Sequence, residues 1–433
     1  MCGIHSLRRH GGLAAASALL VVLAACVDKP TEPEVGTQPG SNWWTYQVDL
    51  ANSGRLPGEG LATPLEIAWE REIESTDAAR TSMFPPVFGD GKVLAHLGLN
   101  PGVLHALSAE DGSTIWSFRA PAGPGEDKVT LRQAPAVANG QVYGMYSVTP
   151  ESGPTTSRLY ALDEDDGTVL WSADESRAPQ GAVKVASGLI FAVFGGHSLR
   201  AFSQNDGEPI WTASLGEGGQ TAYTTPAVAF GNVIAADTDG VYAFRANTGS
   251  PEWSYAFGET LTPYSPVVYA DVAEGEPPVL LIAGTVQPLV SGEPSTVVVR
   301  GLSPVDGSEL WRLELVVGFT NGRQSVAAVN GKVFLLAGPQ IFSMDVQTGA
   351  LDLTNIHQAP RRQEFPPAVS GAALFYTTGA ELQAISVDDA SLLWETTLSD
   401  GWTSSEEGLA IDQGLLVVTN RGRVVAFRPA PQP

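Results

Sequence analysis

Ala161-Leu162-Asp163-Glu164-Asp165-Asp166-Gly167-Thr168-Val169-Leu170-Trp171 decides the fold, because its spacing recurs along the chain. A small residue is followed by glycine six positions later and by tryptophan four after that. The copies are Ala106/Gly112/Trp116, Ala161/Gly167/Trp171, Ala201/Gly207/Trp211, Ala243/Gly249/Trp253 and Gly301/Gly307/Trp311, with two degraded ones, Ser343/Gly349/Leu353 and Ala384/Ala390/Trp394. A fixed period of this kind identifies a repeat architecture before any local propensity is weighed.

Working outward from the second copy, Pro135-Ala136-Val137 precedes Asn139-Gly140 and then Val142-Tyr143-Gly144-Met145-Tyr146. Arg158-Leu159-Tyr160-Ala161-Leu162 follows, then the Asp165-Asp166-Gly167 turn and Thr168–Trp171. These are four short strands with glycine-centred turns between the first and second and between the third and fourth. Four antiparallel strands in a unit of about 40–45 residues make one propeller blade. The first-hairpin glycine recurs at Gly91, Gly140, Gly188, Gly231, Gly331, Gly371 and Gly414, with Gly275 as its counterpart in an irregular fifth unit.

That is one more hairpin than there are small–Gly–Trp units, and the chain ends explain the difference. Ala426, in Val424-Val425-Ala426-Phe427, stands where a small residue belongs, but no tryptophan follows it. Leu65-Glu66-Ile67-Ala68-Trp69 has the tryptophan strand without its partner. Joining the two gives an all-β, eight-bladed propeller of four-stranded antiparallel blades, whose last blade is closed by an N-terminal strand. Closure of this kind removes exposed sheet edges.

Trp69, Trp116, Trp171, Trp211, Trp253, Trp311 and Trp394 are read as docking residues that fill the wedge between blades. Burying about 150–250 Å² per ring at about 25 cal/mol/Å² gives a gross ~4–6 kcal/mol each. Each indole N–H then needs an acceptor, for which a neighbouring backbone carbonyl serves. Leu353 in place of tryptophan marks the weakest seam.

Composition bounds the function. The formal charge is −23, and without residues 1–25 the chain has 22 basic and 47 acidic residues, a net of −25. This balance repels phosphate backbones and argues against nucleic-acid binding. Arg8 and Arg9 precede an apolar run, Gly11–Leu23, that falls short of the roughly 20 residues a helix needs to span a bilayer. It ends in Leu23-Ala24-Ala25-Cys26, so residues 1–25 read as an export signal. Residues 26–42, rich in Pro, Gly, Thr and Glu, read as a flexible tether, and 43–433 as the propeller.

Three resemblances follow from these residues. Leu23–Cys26 resembles a bacterial lipobox, which implies cleavage before Cys26, acylation of its thiol and a membrane anchor at that residue. Val27 and Asp28 after it point to the outer membrane, facing the periplasm or the cell surface. The Ala-Leu-Asp-x-x-x-Gly-x-x-x-Trp unit resembles the tryptophan-docking repeat of PQQ-type propellers, and Trp44-Thr45-Tyr46-Gln47-Val48-Asp49-Leu50-Ala51-Asn52-Ser53-Gly54 is similar to the lead-in of such proteins. Lipobox, tether and eight blades together resemble the lipoprotein scaffold of the outer-membrane β-barrel assembly machine. That resemblance implies a non-catalytic, monomeric ring that binds an envelope protein partner and needs no cofactor.

The alternative within the same family is a quinoprotein dehydrogenase holding PQQ and calcium, or another small-molecule binder using the central funnel. A bound PQQ wants cationic or amide groups on its carboxylates. Topology places Arg132, Tyr223, Tyr264, Arg323, Gln324, Glu364 and Glu407 on the face that the loops entering each first strand share. They are candidates to line a funnel or bind a partner, and equally read as a solvated rim of salt-bridging loops. The adjacent cysteines that quinoprotein alcohol dehydrogenases carry are missing from the chain after Cys26. The six histidines show no HExxH and no metal-ligand spacing, Asp163–Gly167 reads as an Asx turn, and no catalytic residue is assigned.

Overall fold

Alternation of apolar residues with glycine-centred turns yields eight separate antiparallel sheets in sequence order. The computed structural model describes residues 45, 47–56, 60–72, 84–97, 102–131, 133–195, 197–216, 225–262, 265–270, 276–286, 294–317, 324–358, 366–378, 381–398, 407–412, 414–420 and 423–431. The export signal, Cys26, the tether and Gly275 lie outside them. Every element among the described residues is a strand.

We number the blades in chain order: blade 1 (87–118), blade 2 (126–175), blade 3 (184–214), blade 4 (227–256), blade 5 (261–317), blade 6 (324–358), blade 7 (368–397) and blade 8 (407–429 with 65–72). Their first strands contact one another in order, and that of blade 8, Glu407–Asp412, returns to that of blade 1, Val87–Gly89. The ring is therefore closed. Blade 8 takes its outer strand, Leu65–Glu72, from the N-terminal side, antiparallel to Arg423–Pro429 with Trp69 opposite Ala426. Where the other blades have a hairpin turn, Ala430 N donates to Pro64 O at 2.9 Å.

The apolar core lies between blades. Leu94 and Trp116 of blade 1, for example, share one cluster with Val142 and Tyr146 of blade 2. Each indole sits on the third-turn glycine of the following blade: Trp69 on Gly112, Trp116 on Gly167, Trp171 on Gly207, Trp211 on Gly249, Trp253 on Gly307 and Trp311 on Gly349. The indole N–H donates to the carbonyl three residues before that glycine, at Ala109, Glu164, Ala246, Pro304 and Val346. Trp171 departs from this pattern, since its buried Nε1 has no acceptor. Trp394, facing the blade whose turn is split between the chain ends, packs edge-on against Phe427 at 6.0 Å.

The seam between blades 6 and 7 is built differently. Ser343 pairs with Asp352 and Ile341 with His357, so residues 353–356 are accommodated opposite Phe342 and Leu353 does not face Ser343. The side chain of Leu353 lies outside the described residues. Here Lys332 Nζ donates to Val387 O at 3.1 Å and Asp388 O at 2.8 Å. Val387 stands three residues before Ala390, the place that accepts the indole elsewhere, so a lysine from the preceding blade meets the same carbonyl. Tyr376 Oη and His357 Nε2, 2.7 Å apart, form a second link across the seam.

Two glycines separate the contributions to a seam. Gly140 and Gly167 both have φ +72°, but a Cβ on Gly140 meets nothing within 4 Å, whereas one on Gly167 would lie 2.6 Å from the Trp116 ring. Gly140→Ala is expected to cost only the ~1–2 kcal/mol of a left-handed alanine. Gly167→Ala is expected to cost about 1–3 kcal/mol more from overpacking. Thermal unfolding of the two variants side by side measures the difference, and equal melting points would remove the indole–glycine contact from the account.

Candidate functional site

A first strand pairs with its second strand along one edge and turns its other edge to the ring axis. Main-chain groups on that axial edge need partners if they are buried. In blades 4 to 7 one segment of the chain supplies them. Val228 N donates to Leu50 O (2.8 Å), Tyr269 N to Ala51 O (2.8 Å), Ala328 N to Ser53 O (3.2 Å) and Val369 N to Gly54 O (2.7 Å). Each donor is the axis-facing amide of a first strand, and four successive blades are served in order by Leu50 to Gly54.

The side chains of the segment reach the carbonyls. Asn52 Nδ2 bridges blades 4 and 5 through Pro226 O (3.1 Å) and Val267 O (3.0 Å). Gln47 Nε2 reaches Val326 O at 3.4 Å, and Thr45 Oγ1 reaches Val183 O at 3.4 Å. Apolar residues fill the remaining space: Val48 joins the cluster of blades 7, 8 and 1, Leu50 that of blades 1 to 4, and Ala51 that of blades 4 and 5. None of Thr45, Gln47, Val48 and Asn52 exposes more than 2 % of its surface, so the described part of the channel is filled.

Arg55–Leu56 then runs parallel to Ala368–Ser370 of blade 7. Gly60 abuts the Gly371 turn so closely that a Cβ would lie 2.5 Å from Gly371 Cα, and Leu61 N donates to Ser370 Oγ at 2.9 Å. The segment that fills the axis thus leads directly into Leu65–Glu72, the strand that closes the ring.

A buried lysine pins this segment to blade 3 through the main chain of Asp49, whose carboxyl is buried nearby. Lys184 Nζ donates to Asp49 O at 2.5 Å, and the Asp49 carboxylate accepts from Ser53 N (3.0 Å) and Ser53 Oγ (2.6 Å). Burial pushes the Asp49 carboxyl up, against the Ser53 hydrogen bonds and the nearby lysine that favour its ionised form. Burial pushes Lys184 down to about 7, with Asp49 opposing the shift.

The sequence-named loop residues Arg132, Tyr223, Tyr264, Arg323 and Glu364 lie outside the described residues. Gln324 and Glu407 open the strands Gln324–Val329 and Glu407–Asp412, and their side chains also lie outside. Where the axis is described, the first strands of blades 4 to 7 are met by the protein's own main chain, whose carbonyls at Leu50–Gly54 accept from their axial amides. In this described part of the axis, main chain occupies the space and Lys184 Nζ is engaged by the Asp49 main-chain carbonyl. Among the described residues no group of three or more His, Cys, Asp or Glu is arranged around a metal.

The residues that organise the axis, Asp49, Asn52 and Lys184, were not singled out by sequence. The available signal was weak: polar Gln47, Asp49 and Asn52 in a stretch ahead of the first repeat. Lys184→Met is expected to lower stability by about 1–3 kcal/mol, because it leaves the buried Asp49 carbonyl without this donor and Asp49 without a nearby cation. Adding Asp49→Asn should recover part of that loss, and a double-mutant thermal cycle checks it.

The chain matches the PQQ_2 family, described as outer membrane protein assembly factor BamB, over residues 66–195, 155–273 and 295–431. It is 29% identical over 136 residues to outer membrane protein assembly factor BamB of Escherichia coli (strain K12). That alignment spans 30% of this chain and 32% of the relative, about a third of each. Among solved structures, BamB from Moraxella catarrhalis superposes with TM-score 0.58 at 13% identity, covering 86% of this chain and 99% of that one. Quinohemoprotein alcohol dehydrogenase from Comamonas testosteroni superposes with TM-score 0.62 at 16% identity, covering 90% and 81%. At these identities the superpositions establish the propeller fold alone.

Proposed function

The chain belongs to the PQQ_2 family, described as outer membrane protein assembly factor BamB, and from that premise we propose that it is a non-catalytic, lipid-anchored scaffold of the bacterial cell envelope. It presents a rigid ring to a protein partner, and outer-membrane protein assembly is the process it serves. The relation to BamB supports the process, and the filled axial channel supports presentation over chemistry. With Leu50–Gly54 in the axis, the partner is proposed to bind the outside of the ring. Function is argued from this site, since the same propeller is shared with dehydrogenases.

In this reading residues 1–25 are the export signal, Cys26 carries the lipid, residues 26–42 form the tether and 43–433 the propeller. Leu23-Ala24-Ala25-Cys26 supports the anchor. Several acyl chains hold a protein on a bilayer where a single one binds only reversibly. The mature protein faces the periplasm or the cell surface as a monomeric ring.

Expression in a Gram-negative host, fractionation and affinity capture test the proposal. The intact protein is expected in the outer-membrane fraction, with an outer-membrane assembly component captured after crosslinking, and Cys26→Ser is expected to move it to the soluble periplasmic fraction. Wild-type protein recovered soluble would overturn the anchor. Membrane-bound protein that captures no assembly component would overturn the scaffold role.

A further inference from the structure

The seam between blades 3 and 4 brings together two buried polar atoms that nothing else satisfies. His197 lies in the turn between Leu189–Phe194 and Ser198–Ser203, and Asp237 in the turn between Asn232–Ala236 and Gly240–Arg245. His197 Nδ1 faces Asp237 Oδ2 at 3.6 Å, and neither atom has a hydrogen-bond partner. The Asp237 side chain is 0% exposed, while the imidazole keeps 24% of its surface open.

Both groups are held in place by main chain. Asp237 Oδ1 accepts from Asp239 N at 2.8 Å and Gly240 N at 2.9 Å, which clamps the carboxylate with Oδ2 aimed at the imidazole. His197 has φ +58°, and its carbonyl accepts from Leu215 N at 2.8 Å. A direct hydrogen bond would need about 2.7–3.2 Å, and the clamp keeps the carboxylate from closing that gap. The separation instead suits two ligands of one small cation: Zn–N of about 2.0–2.1 Å and Zn–O of about 2.0–2.2 Å place tetrahedral ligand atoms ~3.4 Å apart.

We propose that His197 Nδ1 and Asp237 Oδ2 form a binding site for a divalent transition-metal ion that links blade 3 to blade 4. An imidazole ligand selects Zn²⁺ and its neighbours over Mg²⁺ or Ca²⁺. The backbone donors to Oδ1 act as the outer-shell supports that orient ligands in metal sites. A second carboxylate, Asp239, stands two residues on in the same turn. The Tyr242 phenol neighbours the Asp237 side chain and is placed to contribute an oxygen.

Calorimetric titration of the purified full-length chain with Zn²⁺, alongside the visible spectrum with Co²⁺, tests the site. One equivalent is expected to bind, with affinity reduced at least about tenfold in His197→Asn and in Asp237→Asn and unchanged in Asp389→Asn, an exposed turn carboxylate. Asparagine tolerates the positive φ of position 197 and preserves the Oδ1 acceptor of position 237, and far-UV circular dichroism confirms that the variants fold. Absence of saturable binding, or equal affinity in wild type and both variants, would overturn the proposal. So would a pair that responds only to protons, seen as acid stabilisation lost in both variants without any metal effect.

Discussion

Eight strands turned edge-on to a common axis leave a column of main-chain donors and acceptors that must be satisfied inside the protein, and the rest of the molecule depends on how this is done. In blades 4 to 7 the answer is a second stretch of backbone. Leu50, Ala51, Ser53 and Gly54 lend their carbonyls to Val228, Tyr269, Ala328 and Val369, one blade after another. Because buried amides without acceptors cost a few kcal/mol each, a channel lined this way is stable full. The same stretch continues as Leu65–Glu72, so axial filling and ring closure are properties of one continuous piece of chain.

At the rim the problem is different. Neighbouring blades diverge from the axis outward, and the widening gap is filled by an indole seated on a glycine turn. The turn glycine has two duties there, adopting a left-handed conformation and leaving space for the ring. The indole N–H ties the blades together through a carbonyl at a fixed offset. The blade 6–7 seam shows that the carbonyl is the fixed part, since Lys332 reaches Val387 O where a tryptophan would otherwise do so.

The rim was legible in the sequence because its contacts repeat. Ala161, Gly167 and Trp171 announce a blade by spacing alone, and Ala426 set against Trp69 led to the eighth blade and its closing strand, both present in the structure. The axis was not legible in the same way. Asn52 reaches carbonyls 174 and 215 residues away in sequence, each contact is made once, and no period links them. Lys184 reads as an ordinary strand residue until its burial against Asp49 is seen. His197 and Asp237 were equally silent, because each sits in its own turn and only the neighbouring of blades 3 and 4 brings them together.

The described part of the axis is occupied by the protein's own main chain, in a fold that it shares with quinohemoprotein alcohol dehydrogenase. If the Leu50–Gly54 main chain keeps the axis closed to ligands, a planar, triply carboxylated quinone finds no site there. Equilibrium titration of the full-length protein with PQQ in the presence of Ca²⁺, followed by quinone absorbance, measures this directly. The account predicts a linear response without saturation. Saturable binding of one PQQ per chain would contradict it.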